Sequence, residues 1–209
     1  MANQAEQQTA VAALRAQLAD PDKIVVCPGV YDGFTARMAL KAGFDCLYMT
    51  GAGTTMSRLG MPDLGIATLN DMRETASMIA SLNQRVPLIA DADTGYGGPV
   101  MVGRTIAQYM QAGVAALHLE DQVQSKRCGH LLNKQIVPED EFLSRIRAAV
   151  LPVFEAVTKT LETLKESGAP PKSEFNSSGS PKALFEVVGL HECLSLDKAA
   201  GGASYNGGV

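Results

Sequence analysis

Tryptophan is absent from this sequence, and aromatic residues make up only 5% of it. A core built with so few rings must rest on Ala, Val, Leu, Ile and Met. No apolar run reaches the ~20 residues that span a bilayer, so no membrane partner is expected. Residues 1–19 lack an apolar signal core and are poor in arginine, which argues against a secretory signal or a transit peptide. The expected compartment is the cytoplasm, with the mitochondrion as the alternative. Neither sign of charge dominates: the net charge is −4 and the isoelectric point about 5.4. Nothing therefore draws the molecule to nucleic acid. The four cysteines, Cys27, Cys46, Cys128 and Cys193, show no CxxC or metal-ligand spacing and read as reduced thiols. Thr50-Gly51-Ala52-Gly53 lacks the spacing of a dinucleotide fingerprint, which weighs against an open flavodoxin-like binding module.

The 209 residues suffice for one domain with a real core. The spacing predicts a helix over 4–18, then a strand over 23–27 that ends at Pro28-Gly29. Asp32 caps a predicted helix over 34–42, closed by Gly43. A second strand over 44–49 runs into a glycine-rich turn and a longer loop over 56–68. A helix over 68–83, a strand over 87–90, a helix over 99–112 and a strand over 115–119 follow. A polar loop over 123–133 leads to a helix from 138 to 150. Strand–helix alternation with fully apolar strands implies parallel strands covered by helices. After residue 150 no strand candidate exists. Helical composition over 151–167 gives way to a Pro/Ser/Gly-rich linker over 169–180, helices over 180–189 and 191–200, and a frayed tail over 201–209. The chain thus divides into 1–150 and 151–209.

Polar chemistry gathers at the strand C-termini, where α/β barrels and open sheets place their sites. The run 87–90 ends in Asp91 and Asp93, which share strand parity while the chain stays extended. Paired acids after a buried strand call for a positive partner, and a divalent cation is one candidate. Capping of the next helix, or pairing with Arg104, is the other. Asp63 and Glu120 add carboxylates one unit to either side, a set that suits a hard cation such as Mg²⁺, with Mn²⁺ as the alternative. Lys126-Arg127-Cys128-Gly129-His130 surrounds a thiol with two cations and a histidine, an arrangement for a proton donor or nucleophile; the plain alternative is a surface loop. His118 reads as a core or pocket residue, and the Met residues as helix packing.

Asp91-Ala92-Asp93-Thr94-Gly95-Tyr96-Gly97, Glu120-Asp121-Gln122 and Lys126-Arg127-Cys128-Gly129-His130 together resemble the isocitrate lyase / phosphoenolpyruvate mutase superfamily. Pro28-Gly29-Val30-Tyr31-Asp32 and Tyr48-Met49-Thr50-Gly51 match the same pattern. The nearer resemblance is to the small-enzyme branch of 2-methylisocitrate lyase, 2,3-dimethylmalate lyase, oxaloacetate hydrolase and carboxyphosphonoenolpyruvate phosphonomutase-like proteins. The resemblance implies a Mg²⁺ site at Asp91, Asp93 and Glu120, with Asp63 assisting. It implies that Thr50, Gly51 and Ala52 bind a substrate carboxylate and that Tyr48 lines the pocket. Cys128 would be the general acid, tuned by Lys126, Arg127 and His130 on a gated loop. The implied activity is carbon–carbon cleavage or hydrolysis of a 2-hydroxy or 2-oxo dicarboxylate through an enolate. Phosphonomutase-type activity is the alternative within the family, and a catalytically inactive interaction subunit the alternative outside it.

The resemblance also implies a TIM (β/α)₈ barrel of about 250 residues. This chain supplies four βα units plus C-terminal helices, an incomplete barrel. Strands five to eight, roughly a hundred residues judged against that size, are missing at the 150/151 junction. Two open edges and an uncovered inner face follow. The expected partners are a second copy, with exchanged C-terminal helices, or a full-length paralogue.

Overall fold

The computed structural model describes residues 9–166. Its frame is a parallel sheet in the order β1 (Gly29–Val30), β2 (Leu47–Met49), β3 (Leu88–Asp91), β4 (Ala116–His118). Helices α1 (Ala10–Ala19), α2 (Gly33–Lys41), α3 (Gly51–Leu59), α4 (Leu69–Leu82), α5 (Pro99–Gln111) and α6 (Glu139–Glu166) surround it. The α/β class and the four parallel βα units of an incomplete barrel are as expected.

The register decides which face is buried. Val30, Met49, Ala90 and Leu117 align across the sheet and are sealed beneath the helices. Gly29, Tyr48, Ile89 and Ala116 align on the opposite face, where a closed barrel would place its remaining strands. Among the described residues only the lower end of that face is filled: Leu14 of α1 packs with Cys46, Ala115 and Ala116. Above it, Tyr48, Ile89 and Asp91 are half-buried and His118 is exposed.

The helix signals read from the sequence act as expected at α2 and α4. Asp32 and Thr35 form a reciprocal capping box at the start of α2, and Thr68 and Asp71 form another at α4. Pro99 opens α5, where its missing N–H costs nothing.

Four elements differ from the sequence expectation. The first strand is Gly29–Val30, not 23–27. With Gly29 opposite Tyr48, the earlier residues face 42–46, the turn after α2, which offers no ladder to join. The segment stays close to that turn: Cys27 Sγ lies 3.0 Å from Cys46 Sγ. The glycine-rich stretch after β2 is a helix, α3, capped by the Thr50 hydroxyl on the Gly53 N–H. The helices expected on either side of residue 150 are one helix, α6, with Pro152 inside it. The first helix starts at Ala10; its expected earlier turn, like the linker, the two last helices and the tail, lies outside the described residues.

Candidate active site

Asp91 closes β3 and joins two neighbouring units. Its Oδ2 accepts the Gly51 N–H at the start of α3 at 3.1 Å, and its Oδ1 accepts the Asp93 N–H at 2.8 Å. A helix N-terminus favours such an anion. The approach requires glycine at 51: a Cβ there would sit 2.5 Å from Asp91 Oδ2. The Asp93 bond turns the chain, and Asp93 takes a left-handed φ of 47°, a conformation Asp tolerates better than most residues. Strand parity therefore ends at Asp91, and the two acids are brought together by a turn instead. Behind it, the Tyr109 hydroxyl donates to Asp91 O at 2.8 Å, and Tyr96 OH lies 3.3 Å from Tyr109 OH.

The positive group beside Asp93 is Lys126. Its ammonium makes a short ion pair with Asp93 and another with Asp63 at 2.8 Å, and the residue is only 3% exposed. Lys126 is thus not aimed at Cys128. Arg127 donates to Leu132 O at 3.0 Å, Arg127 and His130 are exposed, and Cys128 is half-buried. Among the described residues, no ion pair or side-chain hydrogen bond joins these three. Arg104 pairs with neither Asp91 nor Asp93; it lines a cavity of about 460 Å³ between α4 and α5, beside Asp93, Thr94, Tyr96 and Lys126. Tyr48, Thr50, Gly51 and Cys128 are not part of that cavity; Tyr48 and Asp91 belong to the open inner face.

Burial pushes the Asp93 carboxyl up to about 6, and the Asp91 charge adds to it; the pull of Lys126 does not cancel the two. Burial also raises Asp91, against the hydrogen bond from Asp93 N–H. For Lys126, burial works against the charge, but the hydrogen bonds and attraction of Asp63 and Asp93 hold it above its ordinary value. Burial raises Tyr48 as well, helped by Asp91, Glu120 and Asp93. Tyr48 therefore keeps its phenolic proton, and its ring lies 5.2 Å from that of His118.

Glu120 donates its N–H to Asp93 O at 2.7 Å, and its Oε2 accepts from Gln122 Nε2 at 2.7 Å. Gln122 also donates to Arg127 O and accepts the Arg127 N–H, and Arg145 donates to Gln122 O. Gln122 and Arg145 pin the base of the loop that carries Cys128, a role the sequence reading missed. Gln122 stood within a quoted motif, but nothing local reveals the partners of a loop amide. Tyr109 was missed too. Its place on the buried stripe Val102, Thr105, Ile106, Tyr109 was the available signal, since a buried phenol needs an acceptor.

The structure thus brings Tyr48, Gly51, Asp63, Asp91, Asp93, Glu120 and Lys126 together and leaves Arg127, Cys128 and His130 apart. Of the expected carboxylate donors, the Thr50 N–H is engaged by Val30 O and the Gly51 N–H by Asp91. The half-buried Ala52 keeps its N–H without an acceptor among the described residues. No three Asp, Glu, His or Cys side chains converge as a metal site among the described residues. The donor chemistry nonetheless fits a hard cation. Asp93 Oδ2 and Glu120 Oε1 accept no hydrogen bond among the described residues, and burial, with the like charge of neighbouring carboxylates added, raises Asp91 and Asp93, a cost that a bound cation would offset.

The family model for phosphoenolpyruvate phosphomutase matches residues 14–157. This chain belongs to that family, within the phosphoenolpyruvate mutase/isocitrate lyase superfamily. It is 46% identical over 139 residues to the 2,3-dimethylmalate lyase of Eubacterium barkeri, covering 66% of this chain and 48% of that one. Oxaloacetate acetylhydrolase bound to 3,3-difluorooxalacetate superposes with a TM-score of 0.69 at 57% identity, covering 72% of this chain and 51% of the other. Phosphonopyruvate hydrolase, solved with oxalate and Mg²⁺, superposes with a TM-score of 0.59 at 30% identity, covering 69% and 48%. These relatives are lyases and hydrolases. The chain spans about half the length of the curated relatives it matches.

Proposed function

We propose that this site serves Mg²⁺-dependent cleavage of a carbon–carbon bond in a small 2-hydroxy or 2-oxo dicarboxylate, as a lyase or a hydrolase acting through an enolate. The observation that carries this reading is the buried Asp63–Lys126–Asp93 ion cluster. It anchors the Cys128 loop at Lys126 to Asp63 and to Asp93 after β3, so that closure of the residues beyond Lys126 brings a proton donor to an anionic wall. The relatives' names, a dimethylmalate lyase and an oxaloacetate acetylhydrolase, agree with the substrate class.

In this reading Asp91, Asp93 and Glu120 hold Mg²⁺, or Mn²⁺, directly or through water. The ion, when bound, supplies positive charge for the oxygens of the substrate and for the enolate that forms on cleavage. Ala52 N–H at the start of α3 receives a substrate carboxylate, as helix N-termini do, and Tyr48 donates a hydrogen bond from its neutral hydroxyl. Closure of the loop pinned at Gln122 carries Cys128 from its half-buried place toward the inner face, excluding water. There its thiol protonates the enolate carbon, while Arg127 and His130 meet the second carboxylate.

The test is release of pyruvate or oxalate from 2-hydroxy and 2-oxo dicarboxylates with Mg²⁺ present. Cys128→Ser is expected to lower turnover at least a hundredfold, the scale of one lost acid–base group, and Asp93→Ala to lower it by weakening the hold on the ion; unchanged turnover refutes the assigned roles. The half-length coverage favours one second reading, a non-catalytic subunit that joins a full-length paralogue. Co-purification with a paralogue and absence of turnover would decide for it.

A further inference from the structure

We propose that two copies of this chain close a single eight-stranded barrel, β4 of each pairing with β1 of the other around a two-fold axis along the barrel. The inference stands apart from the catalytic reading and rests on the sheet and its flanking helices.

Among the described residues, β1 pairs only with β2 and β4 only with β3. Both outer edges leave backbone N–H and C=O groups unpaired, and the face bearing Gly29, Tyr48, Ile89, Asp91 and His118 is covered only at its lower end. Four parallel strands are half of a closed barrel of eight. A two-fold repeat satisfies both edges at once and covers the inner face with a second set of strands.

The helix flanks point to the same arrangement. In a closed barrel, the helix after β4 lies beside the helix after the next strand, here α2 of the second copy. α6 presents an apolar stripe at i, i+4, i+8: Ile146 and Val150 half-buried, Phe154 61% exposed. α5 packs on the other flank, where Gly103 meets Ala148 O and Pro152. The stripe is therefore unpartnered among the described residues. α2 carries Phe34 and Met38, 74% and 53% exposed, spaced one turn apart. Because Gly103 lies in the second turn of α5, residues 146–154 of α6 sit level with the opening turns of the helix layer, as Phe34 and Met38 do. α6 thus offers an apolar stripe about two turns long and α2 an exposed apolar patch about one turn long.

The occupant is a second copy rather than another chain. Four strands are half of the eight that a closed barrel needs, and a second copy supplies the other four. Residues 167–209 contain no strand pattern, so as helices they could cover a flank but not satisfy two strand edges.

The experiment uses the full chain and analytical ultracentrifugation. The wild type is expected at twice 22.0 kDa. Met38→Lys and Phe154→Glu alter exposed side chains, so each variant keeps its circular dichroism spectrum and sediments as a monomer. Their equimolar mixture is expected to return as a heterodimer. One of its two junctions pairs the new Lys with the new Glu, and the other is wild type. A monomeric wild type at its highest soluble concentration overturns the proposal. So does a dimer that survives both substitutions, as exchange of the terminal helices would produce. Two monomeric variants that fail to associate when mixed overturn it as well. A variant that fails to fold leaves the wild-type mass to decide, together with small-angle scattering: a compact particle supports the barrel, and an elongated one overturns it.

Discussion

At the scale of residues, one lysine changes the meaning of the acids around it. Paired carboxylates after a buried strand demand a positive neighbour, and the sequence offered a divalent cation for that place. Lys126 already supplies a positive charge to Asp93 and Asp63. Removing it strands two buried acids. Lys126→Met is expected to lower stability by about 3–5 kcal/mol in a chelating buffer, as broken buried pairs do, read by urea unfolding. Added Mg²⁺ should recover more stability in this variant than in the wild type; equal responses would mean that the acids do not take a cation. The proton inventory gives a second test. The folded Asp93 carboxyl sits near 6 against an ordinary 3.8, so the folded state keeps a proton that the unfolded chain releases. Stability without metal should therefore fall as pH rises from about 4 through 6 and level off above, with melting temperature as the measure. Mg²⁺ must displace that proton, so its stabilising effect should weaken below pH 6. None of this was legible from Lys126 itself, because a lysine in a polar loop gives no local sign of partners that lie 33 and 63 positions earlier in the chain.

At the scale of elements, the strand–helix alternation was legible wherever an apolar run met a cap. Asp32 and Thr68 mark their helices directly, since each side chain satisfies an orphan N–H. The failures have tertiary causes. Glycines and threonines made 51–55 look like a turn, yet α3 forms because Thr50 caps it and the Asp91 carboxylate holds its first N–H. Pro152 reads as a stop, yet α6 passes through it. A proline in mid-helix leaves the carbonyl four residues earlier without its donor. That carbonyl is Ala148 O, and Gly103 of α5 packs against it, with Pro152 nearby. A Cβ at position 103 would lie 3.2 Å from Ala148 O, tight against rigid helix backbone. Gly103→Ala is expected to destabilise the protein by about 1–3 kcal/mol, the usual cost of overpacking, by loosening α5 from α6. Its effect should appear as faster amide exchange in α6 than in α4.

At the scale of the whole molecule, the deciding fact is an imbalance of covering. One face of the sheet is sealed by helices, and the other has α1 alone among the described residues. A chain in this condition should show a melting temperature that rises with its own concentration if a second copy completes it, because association binds only the folded state. Scanning calorimetry over a hundredfold dilution series measures this, and a constant melting temperature would speak for a self-sufficient monomer. The fold class and the half-barrel were readable from strand counting and from the quoted motifs. The reach of the site was less so: Asp91, Asp93 and Glu120 lie near one another without converging as a metal site among the described residues, and the thiol loop stands apart from them. Loop placement depends on contacts such as Gln122 with Arg127 that no spacing encodes.

The unbroken run of α6 through Pro152 has a mechanical consequence. At 1.5 Å per residue its 28 residues extend about 42 Å, while the 13 of α5 extend only about 20 Å. The last fourteen residues of α6 form an arm of about 21 Å beyond the proline pivot. A tilt of about 20° there, within the range of proline kinks, would swing Glu166 by roughly 7 Å. How Gly103 of α5 seats against α6 is thereby amplified into a displacement large enough for a pair of spin labels to read.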